Sequence, residues 1–181
     1  MRIIAGHFRG TRLHTPPGLD IRPTSDRLRE SIFNIIGRRI EGKCILDLFA
    51  GTGAMGIEAL SRGAVHAVFI DCNPQSIALI RKNVVKVKAS NRTSIISWDI
   101  TRDLHCLNRH NEFDLIFADP PYRRGLVHST LVNLRSANIR FETIIVEHDA
   151  SETIDHLPPG ILLKDRRRYG KTLVSFLSGM I

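Results

Sequence analysis

From residue 43 onward the chain alternates short apolar stretches with amphipathic ones, and this alternation constrains the fold more than any other feature. KCILDLF, VHAVFID, SIISW, FDLIFA, TIIVEH, GILLKD and TLVSFL read as seven strands. Between them, GTGAMGIEALSRG, PQSIALIRKNVVKVK and RGLVHSTLVNL read as helices, the second capped by Asn73 with Pro74 at its first position. Such alternation implies an α/β fold whose mostly parallel sheet carries helices on both faces. Ligands of these sheets bind beyond the carboxyl ends of the strands, near the point where strand order reverses. Four features fall there: the glycine loop Gly51–Gly56 after the first strand, Asp71 after the second, Asp99 after the third, and Asp119–Tyr122 after the fourth.

The loop reads GTGAMG and fits the pattern G-x-G-x-x-G, with Asp71 twenty residues after Gly51, where a ribose-binding acid is expected. A helix N-terminus of this kind favours an anionic group, which a pyrophosphate or an amino-acid carboxylate would satisfy. The pair therefore reports an adenosine-containing cofactor and leaves NAD and S-adenosylmethionine both open. Asp47 lies four residues before the first glycine, where a dinucleotide fold keeps an apolar run. A carboxylate there can face a cationic ammonium or brace the loop, and it would repel a diphosphate.

Residues 119–122, DPPY, decide between the two cofactors. An exocyclic amine on a base is a poor nucleophile because its lone pair is delocalised into the ring. Two acceptors aimed at its hydrogens favour a pyramidal nitrogen; Asp119 supplies one and the carbonyl of Pro120 the other. Pro120 and Pro121 stiffen the backbone that presents them. Tyr122 offers a face on which an extruded base can stack. Methyl transfer is then a matter of positioning and electrostatics. Hydride transfer asks for no such tetrapeptide, so the cofactor expected is S-adenosylmethionine.

At 181 residues one domain is expected, with residues 1–20 as a basic hairpin extension and 21–181 as the catalytic domain. TSDRLRESIFNIIG has Leu28, Ile32, Ile35 and Ile36 at helical spacing. Net charge is +8, concentrated in residues 1–43, nine basic against four acidic, and in KDRRRYGK at 164–171, five against one. Two basic flanks around a neutral middle point to a polyanionic partner. No apolar run reaches the ~18 residues that span a bilayer, and MRIIAGHFRG does not read as a signal peptide. Cytoplasm is the expected compartment. Cys44 and Cys72 adjoin strands and are expected to be buried and reduced. His105, Cys106 and His110 lack a second ligand pair, so no metal is expected.

DLFAGTG, VFID, ADPPY and RRYGKTLVSFL resemble class I S-adenosylmethionine-dependent methyltransferases that act on exocyclic amines. MRIIAGHFRGTRL and RPTSDRLRESIFNII further resemble the opening of the RsmD family of bacterial 16S rRNA (guanine-N2)-methyltransferases. The resemblance covers essentially the whole chain. It implies a Rossmann-like seven-stranded sheet ending in an antiparallel hairpin, with an N-terminal hairpin extension. It also implies that Gly51, Thr52 and Gly53 with Asp47 hold the methionine part of the cofactor, with Phe49 and Ala50 in the same loop. Asp71 would take the ribose hydroxyls, and Asp99 with Ile100 would border the adenine. Asp119, Pro120, Pro121 and Tyr122 would form the target-amine pocket. Arg9, Arg12, Arg22, Thr24 and Arg29 are the expected RNA contacts. His148 after Glu147 departs from the family pattern, and neither residue is given a role. The expected partner is 16S rRNA, within the small subunit or an assembly intermediate, met by a monomer.

Three other readings compete. An adenine-N6 methyltransferase would use the same DPPY chemistry, but 181 residues leave no room for a duplex-reading domain. An NAD-dependent oxidoreductase explains GTGAMG and Asp71 and leaves DPPY, Asp47 and the basic flanks without a purpose. A non-catalytic RNA-binding protein would not need Asp119.

Overall fold

The computed structural model describes residues 1–16, 23–107, 110–152, 154 and 156–179. Among these residues the seven strands are β1 (Cys44–Leu48), β2 (His66–Asp71), β3 (Thr93–Ser97), β4 (Glu112–Ala118), β5 (Arg140–Asp149), β6 (Leu162–Tyr169) and β7 (Thr172–Ser178). They form one sheet in the order β3-β2-β1-β4-β5-β7-β6. The first five are parallel, and β7 runs antiparallel to both β5 and β6. Strand order reverses between β1 and β4, which fixes where a ligand crevice opens. β6 extends through the arginine run as far as Tyr169, beyond the expected GILLKD, and forms a charged edge that resists pairing with other chains.

Period-two alternation in the strands divides the core into two layers. Ile45, Leu115, Phe117, Ile145, Val174 and Phe176 pack under α1 (Pro23–Ile36), α2 (Ala54–Ser61) and α3 (Pro74–Lys86). Leu46, Leu48, Ile116, Ile144, Val146 and Leu177 pack under α4 (Leu126–Ser136) and the segment around Leu104 and Leu107. Asn73 caps α3 as expected, accepting from the Gln75 N–H at 2.8 Å. Cys72 is exposed, contrary to the expected burial, because it stands one residue past the end of β2. Among the described residues no helix is long and apolar enough to cross a membrane.

The expected short N-terminal hairpin is present. Among the described residues its strands meet at one antiparallel bridge, Arg2 with Arg12, flanked by the Ile3 N–H to the Thr11 carbonyl at 3.0 Å and the Leu13 N–H to the Met1 carbonyl at 3.1 Å. Four other backbone N–H groups of the segment turn to α2. Ile4 and Ala5 donate to the two carboxylate oxygens of Glu58 at 2.8 and 3.0 Å, and Phe8 donates to Ser61 Oγ at 2.9 Å. His7 N–H donates to the Ser61 carbonyl at 2.8 Å. These residues thus pair with the last turns of α2 instead of with each other. Gly6 makes the approach possible, since a Cβ there would lie 1.8 Å from the Ser61 carbonyl oxygen. Ile3 and Leu13 bury in the same layer as α1 and α2. The expected boundary at residues 20 and 21 falls outside the described residues.

Glu58 is fully buried and also takes Arg62 at 2.8 Å and Arg29 at 3.7 Å. Removing its carboxylate would take one counter-charge from buried Arg29 and leave three donors, the Ile4 and Ala5 N–H groups and Arg62 Nε, short of an acceptor. Breaking a buried pair from one side costs about 3–5 kcal/mol. Glu58→Ala is therefore expected to lose that much in urea denaturation, and a loss under about 1 kcal/mol would mean the N-terminal segment is held by its apolar contacts and the Ser61 hydrogen bonds.

Candidate active site

The carboxyl ends of β1, β4 and β5 open into a cavity of about 230 Å³. Its lining includes Asp47, Phe49, Ala50, Gly51 and Thr52 from β1 and its loop, Asp119 from β4, and Glu147 from β5. Strand register explains the convergence. Asp47 pairs with Phe117, and Phe117 with Ile145. Asp119 and Glu147 each lie two residues further along, so all three carboxylates share one face of the sheet.

The glycine loop is fixed from several sides. Asp71 Oδ2 accepts from the Gly51 N–H at 2.8 Å, and Asp47 Oδ2 accepts from the Gly56 N–H at 2.9 Å. Asn83, fully buried on α3, donates to the Thr52 carbonyl at 2.9 Å and accepts from the His14 N–H at 2.7 Å. Phe49 takes a positive φ of 58°, a strained conformation held by these contacts. Gly56 lets α2 settle on β2, since a Cβ there would lie 2.4 Å from the Phe69 ring.

Charge in the cavity is lopsided. Asp47 is 3% exposed, and burial pushes its carboxyl up to about 7, against the Gly56 hydrogen bond that favours the ionised form. Asp119 has accessible surface at the cavity mouth, yet protein encloses it on its other sides. That enclosure, with the charges of Glu147 and Asp47, drives its carboxyl well above the ordinary carboxylate range. Glu147 is raised by burial, while the Tyr122 hydroxyl, donating at 2.6 Å, opposes the rise. Arg29 also reaches the lining, but its charge is answered by Asp26 at 3.2 Å and by Glu58.

Such a site suits a cation. The Gly56 N–H in the first turn of α2, which a pyrophosphate would seek, already donates to Asp47, and a diphosphate would meet three carboxylates. The sulfonium and ammonium of S-adenosylmethionine would instead bring positive charge to these carboxylates.

Several expected residues come together and others do not. Asp47, Phe49, Ala50, Gly51, Thr52 and Asp119 line the cavity, and Asp71 joins it through Gly51. Gly53 is the N-cap of α2. Asp99 lies in the loop after β3, where its side chain accepts from the Thr101 N–H and hydroxyl. Ile100 is buried behind that loop. Pro120 is buried, Pro121 exposed, and Tyr122 turns its hydroxyl toward Glu147. Arg9 and Arg12 are exposed. Arg22 and the side chain of Thr24 lie outside the described residues. Arg29 is corrected: expected as an RNA contact, it is 3% exposed and turned inward onto the Arg2 carbonyl, Asp26 and Glu58.

Glu147 and Asn83 carry no role in the sequence reading, yet both leave a trace there. Glu147 stands two residues beyond Ile145 in TIIVEH, on the strand face that Asp119 shares. Asn83 interrupts the buried stripe Ile77, Ile80, Val84 and Val87 of α3. His148 turns to the opposite face and bonds Ser175 Oγ at 3.0 Å.

The sheet order and the carboxylate-lined cavity at its switch point define a class I methyltransferase. The solved structure of yhhF from Escherichia coli superimposes with a TM-score of 0.84 at 30% identity, covering 99% of this chain and 98% of that one. The family model described as "Conserved hypothetical protein 95" matches residues 1–178. YlbH of Bacillus subtilis is 34% identical over 178 residues, 97% of each chain. The Ribosomal RNA small subunit methyltransferase D of Escherichia coli K12 is 39% identical over 138 residues, covering 76% of this chain and 68% of that protein. The chain belongs to the RsmD family.

The raised Asp47 carboxyl sets a pH dependence. Its folded value exceeds its unfolded value of 3.8, so the folded state binds the proton more tightly. That contribution to stability is full below the unfolded value and is lost as pH rises through about 7. Without ligand, Asp47→Asn is expected to gain in Tm over wild type as pH rises from about 5 to about 8. A pH-independent difference in calorimetry would mean that Asp47 is ionised throughout.

Proposed function

We propose that the protein transfers a methyl group from S-adenosylmethionine to the exocyclic N2 amine of a guanine in small-subunit ribosomal RNA. The observation that carries the reading is Asp119, standing at the end of β4 in the same cavity as the braced glycine loop. The name of the Escherichia coli relative supplies the substrate class. S-adenosylmethionine supplies a methyl carbon made electrophilic by its sulfonium; transfer forms an N–C bond, breaks the S–C bond and leaves a neutral thioether.

This chain's residues do the rest. Asp119 accepts a hydrogen from the target amine, and the Pro120 carbonyl accepts the other, which frees the nitrogen lone pair for attack. The methylated nitrogen then releases one proton to solvent at the cavity mouth. Asp71 keeps a lone pair on each oxygen for a ribose hydroxyl while it braces Gly51 and Asn73. Asp47 and the neighbouring carboxylates balance the cofactor's positive charge. RNA phosphates meet exposed basic side chains near the site: Arg9 and Arg12 on the N-terminal segment, and Arg123, Arg168 and Lys171 around a cleft just past Tyr122.

The direct test is transfer of labelled methyl from S-adenosylmethionine to unmethylated small subunits, their extracted RNA and duplex DNA, with products separated as nucleosides. Label in N2-methylguanosine from small-subunit RNA is the expected result. Label in N6-methyladenine would keep Asp119 in its role and overturn the base assignment. Asp119→Ala is expected to lower transfer by about 10²- to 10³-fold with cofactor affinity little changed; lost cofactor binding would give Asp119 a different task. Charge reversal at Arg9 and Arg12 should flatten the salt dependence of RNA binding by about 0.7 in log–log slope per lost phosphate contact. An unchanged slope would move the RNA path away from the N-terminal segment.

A further inference from the structure

Glu147 takes no hydrogen from the target amine in the transfer step, yet its position is specific. Strand order places β5 on the side of β4 away from β1 and β2. The cavity therefore runs from the glycine loop past Asp119 to Glu147. One oxygen of Glu147 takes the Tyr122 hydroxyl at 2.6 Å. Among the described residues no hydrogen bond engages its other oxygen. Tyr122 is itself the last residue of DPPY, so the motif that presents Asp119 also orients Glu147.

We propose that Glu147 accepts a hydrogen bond from the N1–H of the target base and is thereby the residue that selects guanine. The inference rests on the reading above, in which an exocyclic amine meets Asp119. Three bases carry such an amine, and they differ in what lies beside it. In guanine the N2 amine is flanked by N1–H, a second donor. In adenine the N6 amine is flanked by N1, and in cytosine the N4 amine by N3, each a bare acceptor. An ionised carboxylate accepts and cannot donate. Two carboxylates side by side thus match the donor pair of guanine, and the same pair would set a lone pair of adenine or cytosine against negative charge. A donor left without its acceptor, or two acceptors face to face, is rejected far more strongly than a missing apolar contact. The Tyr122 hydroxyl favours the ionised, accepting form of Glu147 against the burial that raises its carboxyl.

2-Aminopurine keeps the N2 amine, replaces N1–H by a lone pair and lacks O6, so the response of the preference to a change at Glu147 assigns the N1 part. In an RNA that the protein methylates, the accepting guanosine is replaced by 2-aminopurine riboside and kcat/KM is compared. Wild type is expected to favour guanine on the order of tenfold to a hundredfold. Glu147→Gln, whose amide can donate to the lone pair, is expected to shrink or invert that ratio, with both bases compared at saturating S-adenosylmethionine. Wild-type preference should also narrow toward acid pH, as Glu147 takes up a proton and becomes a donor. Equal use of both bases by wild type overturns the proposal and needs no variant to show it. So does a Glu147→Gln protein that is slower on both with the ratio intact. Either result leaves the guanine-N2 reading standing; label in N6-methyladenosine would remove both.

Discussion

Glu58 is the contact on which the rest of the architecture depends. It sits inside an apolar helix, with no surface of its own, and gathers two backbone N–H groups and two guanidinium groups around one carboxylate. A buried carboxylate is tolerable only when its acceptor sites are filled. Filling them brings the N-terminal segment, α1 and α2 to a common point behind the glycine loop. The loop then rests on a helix that cannot shift without unpairing buried charge. Asn83 repeats the device on the other side, joining His14 and Thr52 through one amide.

The site itself follows the opposite rule. Asp47, Asp119 and Glu147 converge with partial pairing, and Arg29, which also reaches the wall, is committed to Asp26 and Glu58. The scaffold is stable because its buried charges are matched, and the cavity is selective because its charges are not. Strain at Phe49 belongs to the same region, as expected where structure is held for function.

The seven strands were legible because apolar alternation and the Gly and Pro punctuation agree with the parallel sheet. The candidate site was legible where a motif carries it: GTG, Asp47, Asp71 and DPPY all fall at strand ends. The misreadings have physical causes. Arg29 looks solvated when the stripe of α1 is drawn through Leu28, Ile32, Ile35 and Ile36. Phe33 is fully buried too, and the row Arg29, Phe33, Ile36 then faces inward, because α1 is covered by both the sheet and the N-terminal segment. The short hairpin was legible, but not that Glu58 and Ser61 take four of its N–H groups, because those contacts join residues more than 50 positions apart. Glu147 stayed hidden because only the pairing of β4 with β5 gives it a neighbour.

The uncompensated carboxylates also bear on turnover. Methyl transfer of the proposed kind converts a sulfonium into a neutral thioether within their field. The ligand that arrives is attracted more strongly than the one that must leave, by an amount set by charge and not by shape. The same side chains that draw the methyl donor in therefore loosen their hold once the methyl has gone, and the spent molecule departs down an electrostatic slope created by the reaction itself.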